Sequence, residues 1–434
     1  MSQLTMNNLC NDIKVNLIFK HYLTDIDSLH LFKTCKYEYN KIKVYKYKGK
    51  VKSENITNYK NCLILKIKNV TSKTQINTLP IYITHLTFGS NFNQNINSIN
   101  LPKSITHLRF GKKFNQIVCN LPAYITNLTF GWEFNKPVNN LSNLITHLTF
   151  GCNFNQSVDN LPTSLTHLTF NDSFMNSVNN LPNTITHLKF GLEFNQSVNN
   201  LPNSLTHLTF GFKFNQPVNN LPDSIIDLVF GLYFNQPVDN LPNSIIRLNF
   251  SSNFEQRVDN LPNSITHLSF SGHFNQPVNN LPSSITYLKF SWNFNQSVDN
   301  LPNSITHLML YGNFNQPVDN LPNSITHLTV GRHFNQFVDN LPNSITHLTF
   351  GCNFNQFVDN LPNSITHLTF DRSFNQRINN LPNSITHLTF GRNFNQPVNN
   401  LPNSVTHLTV GNAFNQRIDY LPTSIIEFYS TGNI

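Results

Sequence analysis

Residues 341–360 read LPNSITHLTFGCNFNQFVDN, and residues 361–380 read LPNSITHLTFDRSFNQRINN. A Leu-Pro pair (Leu-Ser at Leu141) opens such a unit at Leu79, at Leu101 and then every 20 residues to Leu421. Only the first unit is longer, at 22 residues, with the excess in NINSIN before Leu101. A short fixed period means that no unit buries its apolar face alone; a core arises only when neighbours stack. The repeat therefore overrides the two or three globular domains that 434 residues would otherwise suggest.

Within a unit the segment THLTF alternates. Leu348 and Phe350 point one way, His347 and Thr349 the other, which is the period of a strand. Pro342 and, in other units, prolines such as Pro317 exclude a long helix from the remainder. One short strand per 20 residues predicts parallel strands stacked coil on coil, with a Pro/Asn-rich extended return opposite them. The Phe content follows from this. Of the 37 phenylalanines, 14 share the position of Phe350 and 17 that of Phe354, so two columns account for 31 of them. Leu341, Ile345, Leu348 and Val358 complete the predicted interior. Asn recurs at the positions of Asn355 and Asn360, where turn backbone groups need side-chain partners and stacked amides can supply them. Met175 and Glu255 interrupt the first Asn column and are the expected weak points.

The net charge of +8 invites a nucleic-acid reading, but its location argues otherwise. Residues 1–78 hold 14 Lys and 5 acids, whereas the rest of the chain holds 15 basic and 16 acidic residues. A nucleic-acid-binding array would carry a basic stripe throughout. The six cysteines show no C-x-x-C spacing, so no zinc knuckle or redox pair is expected, and Cys152 and Cys352 lie too far apart to bridge. The N-terminus lacks the pattern of a signal peptide, and no apolar run approaches the length of a membrane span. The expectation is a soluble, cytoplasmic protein without cofactor or membrane partner.

The segment Ile345-T-H-Leu348-T-Phe350-G-C-Asn353 resembles the leucine-rich repeat pattern L-x-x-L-x-L-x-x-N, although Asn holds that last position in only 7 of 17 units. More specifically, residues 79 to about 428 resemble the FNIP repeat of social amoebae and amoeba-infecting giant viruses. The resemblance implies a leucine-rich-repeat-like parallel β-solenoid of about 17 coils over residues 79–434, the last coil (421–434) being degenerate. It also implies a host cytoplasm as the setting.

Residues 9–40 have helical apolar spacing at Ile13, Leu17 and Ile18, then at Leu29, Leu31 and Phe32. They resemble an F-box, the small helical module that docks on the Skp-type adaptor of cullin–RING ubiquitin ligases. That resemblance implies a helical domain over residues 1–40, with Ile13, Leu17, Ile18 and Leu29 as its adaptor-binding residues. Residues 41–78, including KIKVYKYKGKV and NCLILKIKNV, read as basic bridging strands that cap the array.

No phosphate loop, metalloprotease motif or nucleophile elbow appears, so no catalytic residue is expected. His fills an outward strand position in 13 units, including His307, His327 and His347. A single column without thiolate or carboxylate neighbours does not make a tetrahedral zinc site, so a structural or surface role is expected. The Thr columns have opposite parity and form no flat ice-binding face. The informative residues are those that differ between coils. They are Arg109, Lys112, Trp132, Lys189, Phe212, Tyr233, Arg247, Tyr287, Trp292, Arg332, Arg372 and Arg392. Trp, Tyr and Arg dominate the energetics of protein interfaces, and solenoids bind through one extended face. The sequence thus points to a substrate-recruiting subunit of a cullin–RING ligase, with the solenoid holding an unidentified protein target. The rival is a plain interaction scaffold in which residues 9–40 only cap the array.

Overall fold

The computed structural model describes residues 66–70, 76, 79, 81, 83–97 and 99–432, and the F-box-like segment 9–40 lies outside them. The chain divides into two compact units, Met1–Phe154 and Asn155–Ile434. Within each, the described residues form one kind of coil, stacked as a parallel β-solenoid of the leucine-rich-repeat type, and the coils of the two units number about 17.

In the first unit β1 (Lys66–Val70) pairs in parallel with β2 (His85–Phe88), followed by β3 (His107–Arg109), β4 (Asn127–Thr129) and β5 (His147–Thr149). In the second, strands run from β6 (His167–Thr169) to β19 (Glu427–Ser430), one per coil, each parallel to the next. The register is that of the repeat: His327 lies beside His347, Leu328 beside Leu348 and Val330 beside Phe350.

The expected two-faced strand is what forms. Ile345, Leu348, Phe350, Phe354, Val358 and Leu361 are all buried, and no polar or charged side chain among the described residues is. The two Phe columns stack: Phe350 and Phe354 lie 3.8 Å apart at 9° within a coil, and Phe354 meets Phe374 at 6.1 Å in the next. Offset parallel rings of this kind add to the area they bury.

A coil without helix must satisfy its backbone by other means, and the polar columns do so. The Asn355 amide N–H donates to Asn335 Oδ1 at 2.8 Å, and the same bond recurs from coil to coil. This is the role expected of the column, side-chain amides serving turn backbone groups: the side-chain oxygen pairs with a main-chain N–H that would otherwise be left unpaired. In the second Asn column the side chain is the donor, Asn360 Nδ2 reaching Asp339 Oδ1 at 3.1 Å. Ser344 donates its hydroxyl to the Ile325 carbonyl at 2.7 Å. The Thr326 carbonyl accepts from the N–H groups of both Thr346 and His347, at 2.9 and 3.0 Å, and from the Thr346 hydroxyl at 3.2 Å.

The residue after the second inward side chain of the strand, Phe, Val or Leu, sets how closely coils approach. Where it is Gly, as at Gly211, an added Cβ would lie 1.6 Å from the Gly191 carbonyl oxygen. Through Ser271, Ser291 and Tyr311 that residue carries a side chain. There the strands are four residues long, and the following residue turns left-handed: Gly272 (φ 63°), Trp292 (φ 39°) and Gly312 (φ 66°). Trp292 holds, between two glycines, a conformation that suits glycine.

Candidate protein-binding surface

The outward strand face is polar and formed by two side-chain columns, those of His347 and Thr349, with the variable positions just beyond the strand. Among these His residues, rings stack from His307 through His327, His347, His367 and His387 to His407, at 4.1–4.2 Å between successive centroids. A Thr346 hydroxyl 2.9 Å from His347 Nδ1 fixes the ring, and the same pairing recurs along the column. Burial against neighbours pushes the pKa of His327, His347, His367 and His387 below 6.5, and the charge of adjacent imidazoles pushes the same way. Burial is the larger cause, because each ring lies face to face with the next. Among the described residues no group of three or more His, Cys, Asp or Glu could hold a metal.

This column makes stability depend on pH. Since the folded pKa values lie below the unfolded one near 6.5, the unfolded chain binds more protons in that interval, and stability rises with pH there. The contribution is complete above about pH 6.5 and is lost as pH falls through the folded values. The melting temperature is expected to drop between about pH 7 and pH 5, and to drop less after His347→Gln. A flat profile would count against the stacked column.

The candidate residues fall on the described surface as follows. In the first unit Arg109 is exposed on β3, and Lys112 lies over the Trp132 ring at 5.5 Å. In the second, Lys189 is exposed, and Phe212 meets Tyr233 edge to face at 5.0 Å. Arg247 pairs with Asp227 at 3.0 Å across adjacent strands. Tyr287 interrupts the His column and reaches Met309 Sδ at 3.3 Å. Lys289 stands 5.6 Å above the Tyr311 ring, and burial raises the Tyr311 pKa. Trp292 is 68% exposed, and Arg332, Arg372 and Arg392 are exposed.

Sequence reasoning missed several features. Met309 and Tyr311 join the cluster at Tyr287, and only their departure from Thr and Gly marks them. Phe337 (62% exposed) and Phe357 (56%) stand on the return side, in a column otherwise filled mostly by Pro, Ser and Arg. Their place one residue before an inward Val was the available signal. Met175, the expected weak point, still donates its N–H to Asn155 Oδ1 at 2.9 Å, but a thioether offers no such acceptor to the coil above. Beside it Glu193, Asn195, Lys213, Tyr233 and Asn253 surround an open depression of about 680 Å³, spanned by a Lys213–Glu193 ion pair at 2.6 Å.

A family described as FNIP Repeat matches residues 72–113 and, in overlapping segments, residues 137–429. A solved structure described as that of CroV588, a circular LRR protein, is 49% identical with a TM-score of 0.78, over 84% of this chain and 58% of that one. The chain thus spans little more than half the length of that relative. YopM from Yersinia enterocolitica is 16% identical (TM-score 0.49, covering 87% of this chain and 92% of that one). The functional domain of InlJ from Listeria monocytogenes is 13% identical (TM-score 0.45, covering 83% and 75%). None of the curated proteins matches the chain. Among the described residues no helix is long and apolar enough to cross a membrane.

Proposed function

This chain belongs to the FNIP repeat family, and from that premise we propose that its solenoid is a protein-binding surface. Solenoids of this type are typical of binding proteins rather than enzymes. The observation that carries the reading is a contrast within each coil. The inward columns scarcely change, while the exposed residues beside the strand include Trp132, Phe212, Tyr233, Trp292, Arg332 and Arg372, each set into a frame of Gly, Asn and Ser. Aromatic and Arg side chains on a rigid frame supply contact area at little entropic cost.

The finer reading is that the chain recruits a substrate to a cullin–RING ubiquitin ligase in the cytoplasm, residues 9–40 docking on a Skp-type adaptor. Its support is the apolar spacing at Ile13, Leu17, Ile18 and Leu29 next to a repeat array. Ile18→Asp would place an unpaired charge in an apolar interface, at a cost on the order of several kcal/mol. Adaptor and cullin are expected to co-purify with the wild-type chain and to be lost with Ile18→Asp, while the array keeps its circular dichroism and its target. If the wild-type chain brings down no adaptor, or Ile18→Asp unfolds the array, the scaffold reading replaces the ligase.

A further inference from the structure

One column of the second unit, just beyond the strands, alternates large with small. It runs Gly272, Trp292, Gly312, Arg332, Cys352, Arg372, then Arg392. Trp292, Arg332, Arg372 and Arg392 are exposed, whereas Gly272 is buried and Gly312 and Cys352 are half-buried, so ridges alternate with notches. The Asp371 carboxylate beside the column accepts from the Cys352 thiol at 2.8 Å and from the Arg372 main-chain N–H at 2.7 Å. The ion pairs among the described residues lie elsewhere, and none uses Arg332, Arg372 or Arg392. Three guanidinium groups thus stand on one line with only the Asp371 carboxylate beside them, which leaves the row with a net positive charge. Other acids of these coils, Asp299, Asp319 and Asp339, sit on the return side, where the side chains of Asn320, Asn340 and Asn360 donate to them.

We propose that this column docks an acidic, extended protein segment, whose carboxylates pair with Arg332 and Arg372 while an apolar side chain packs on Trp292. The proposal rests on the protein-binding reading above and specifies its partner. Geometry sets the spacing. Trp292, Arg332 and Arg372 follow one another two coils apart, about 9.6 Å at a strand separation of ~4.8 Å, and one turn of an extended polyproline-II chain, three residues and about 9.3 Å, brings side chains back to the same face. The segment therefore carries an apolar residue, an acid three positions along and a second acid three further. Arg presents a planar fork that holds a carboxylate by two hydrogen bonds, which suits it to this role. A nucleic acid fits less well, because a short row of cations beside Trp292 and Tyr311 neutralises few phosphates.

The test uses the full chain carrying Trp132→Phe, which leaves Trp292 as its sole tryptophan and fluorescent reporter. The probe is a 12-residue Gly/Ser peptide with Leu at position 3 and Glu at positions 6 and 9. It is expected to bind about tenfold more tightly than its Lys counterpart, and about tenfold more weakly to Arg332→Glu/Arg372→Glu. Arg377→Glu, on the return side, is expected to change nothing, and melting curves check that each variant folds. Equal binding by the double variant overturns the site, as does equal binding of a peptide with Glu at positions 6 and 7. Stronger competition by a 12-mer of deoxythymidine assigns the column to nucleic acid. If the Glu peptide fails but a displayed peptide library yields binders sensitive to Phe212→Ala or Tyr233→Ala, this site falls and the protein-binding reading stands. If neither binds, both fall.

Discussion

Phe354→Ala is expected to cost about 3–5 kcal/mol of local stability, while Arg332→Ala stays within about 0.5 kcal/mol of wild type. Phe354 is fully buried and bounded by rings on all sides: Phe350 at 3.8 Å, Phe334 at 6.0 Å, Phe370 at 6.2 Å and Phe374 at 6.1 Å. Removing it leaves a cavity that neighbouring coils cannot close, because their spacing is fixed by the strand hydrogen bonds. The two Phe columns are not equivalent. Leu310, Val330 and Val410 replace Phe in the strand column, whereas the column of Phe354 is Phe in all 17 coils. Phe350→Leu should therefore cost less than Phe354→Leu. In a stacked array the loss is local before it is global. Hydrogen exchange should rise first in the coils on either side of residue 354, and denaturant midpoints should rank the four variants. Equal midpoints for Phe354→Ala and Arg332→Ala would remove Phe354 from the core.

Gly211→Ala is expected to cost about 2–4 kcal/mol, through overpacking of backbone on backbone or the strain of avoiding it. Its Cβ would lie 1.6 Å from the Gly191 carbonyl oxygen and 2.3 Å from its carbon, neither of which can swing aside as a side chain would. At Gly331 the nearest backbone atom lies at 2.5 Å, and the preceding coil already carries Tyr311. Gly331→Ala is expected to cost about 1 kcal/mol less than Gly211→Ala. The run from Ser271 to Tyr311 shows the alternative geometry, with left-handed backbone at the next residue. Phe212→Gly in the Gly211→Ala background should therefore recover part of the loss, since glycine takes that conformation without strain. Thermal melts of the single and double variants decide it. A silent Gly211→Ala would mean that coil spacing is softer than the contacts imply.

The coil was legible because the sequence states it many times. A pattern as short as THLTF, ambiguous once, fixes strand, parity and register when it recurs at constant spacing, and Leu348 and Phe354 could be placed inside from letters alone. What a repeat does not encode is departure from itself. The left-handed backbone at Trp292 follows Ser291, in a run of three coils, but the same column carries Asn171 and Asp371 with no such turn after them, so the letter alone does not give it away. The order of causes behind the His347 pKa depends on how closely rings stack. The outward Arg and aromatic positions were legible as exposed, but which ones form a set was not. Arg332 and Arg372 become a pair only through the small residues at Gly312 and Cys352 that separate the ridges. Residues 9–40 occur once, so no recurrence supports their reading.

Each polar bond of the coil joins residues at a constant offset: 20 from Asn355 to Asn335, 19 from Ser344 to Ile325 and 21 from Asn360 to Asp339. Across the longer first coil the offset of 20 becomes 22, as between Asn115 and Asn93. Excising any 20 consecutive residues from the regular part hands every donor an equivalent acceptor, whereas excising 19 leaves one coil a residue too long and its donors and acceptors out of step at that place. Inheritance in such a chain is quantised. Recombination between near-identical stretches can lengthen or shorten the molecule by whole coils, carrying a Trp or an Arg to a new place along the face, while single-residue insertions are confined to loop tips such as the one before Leu101.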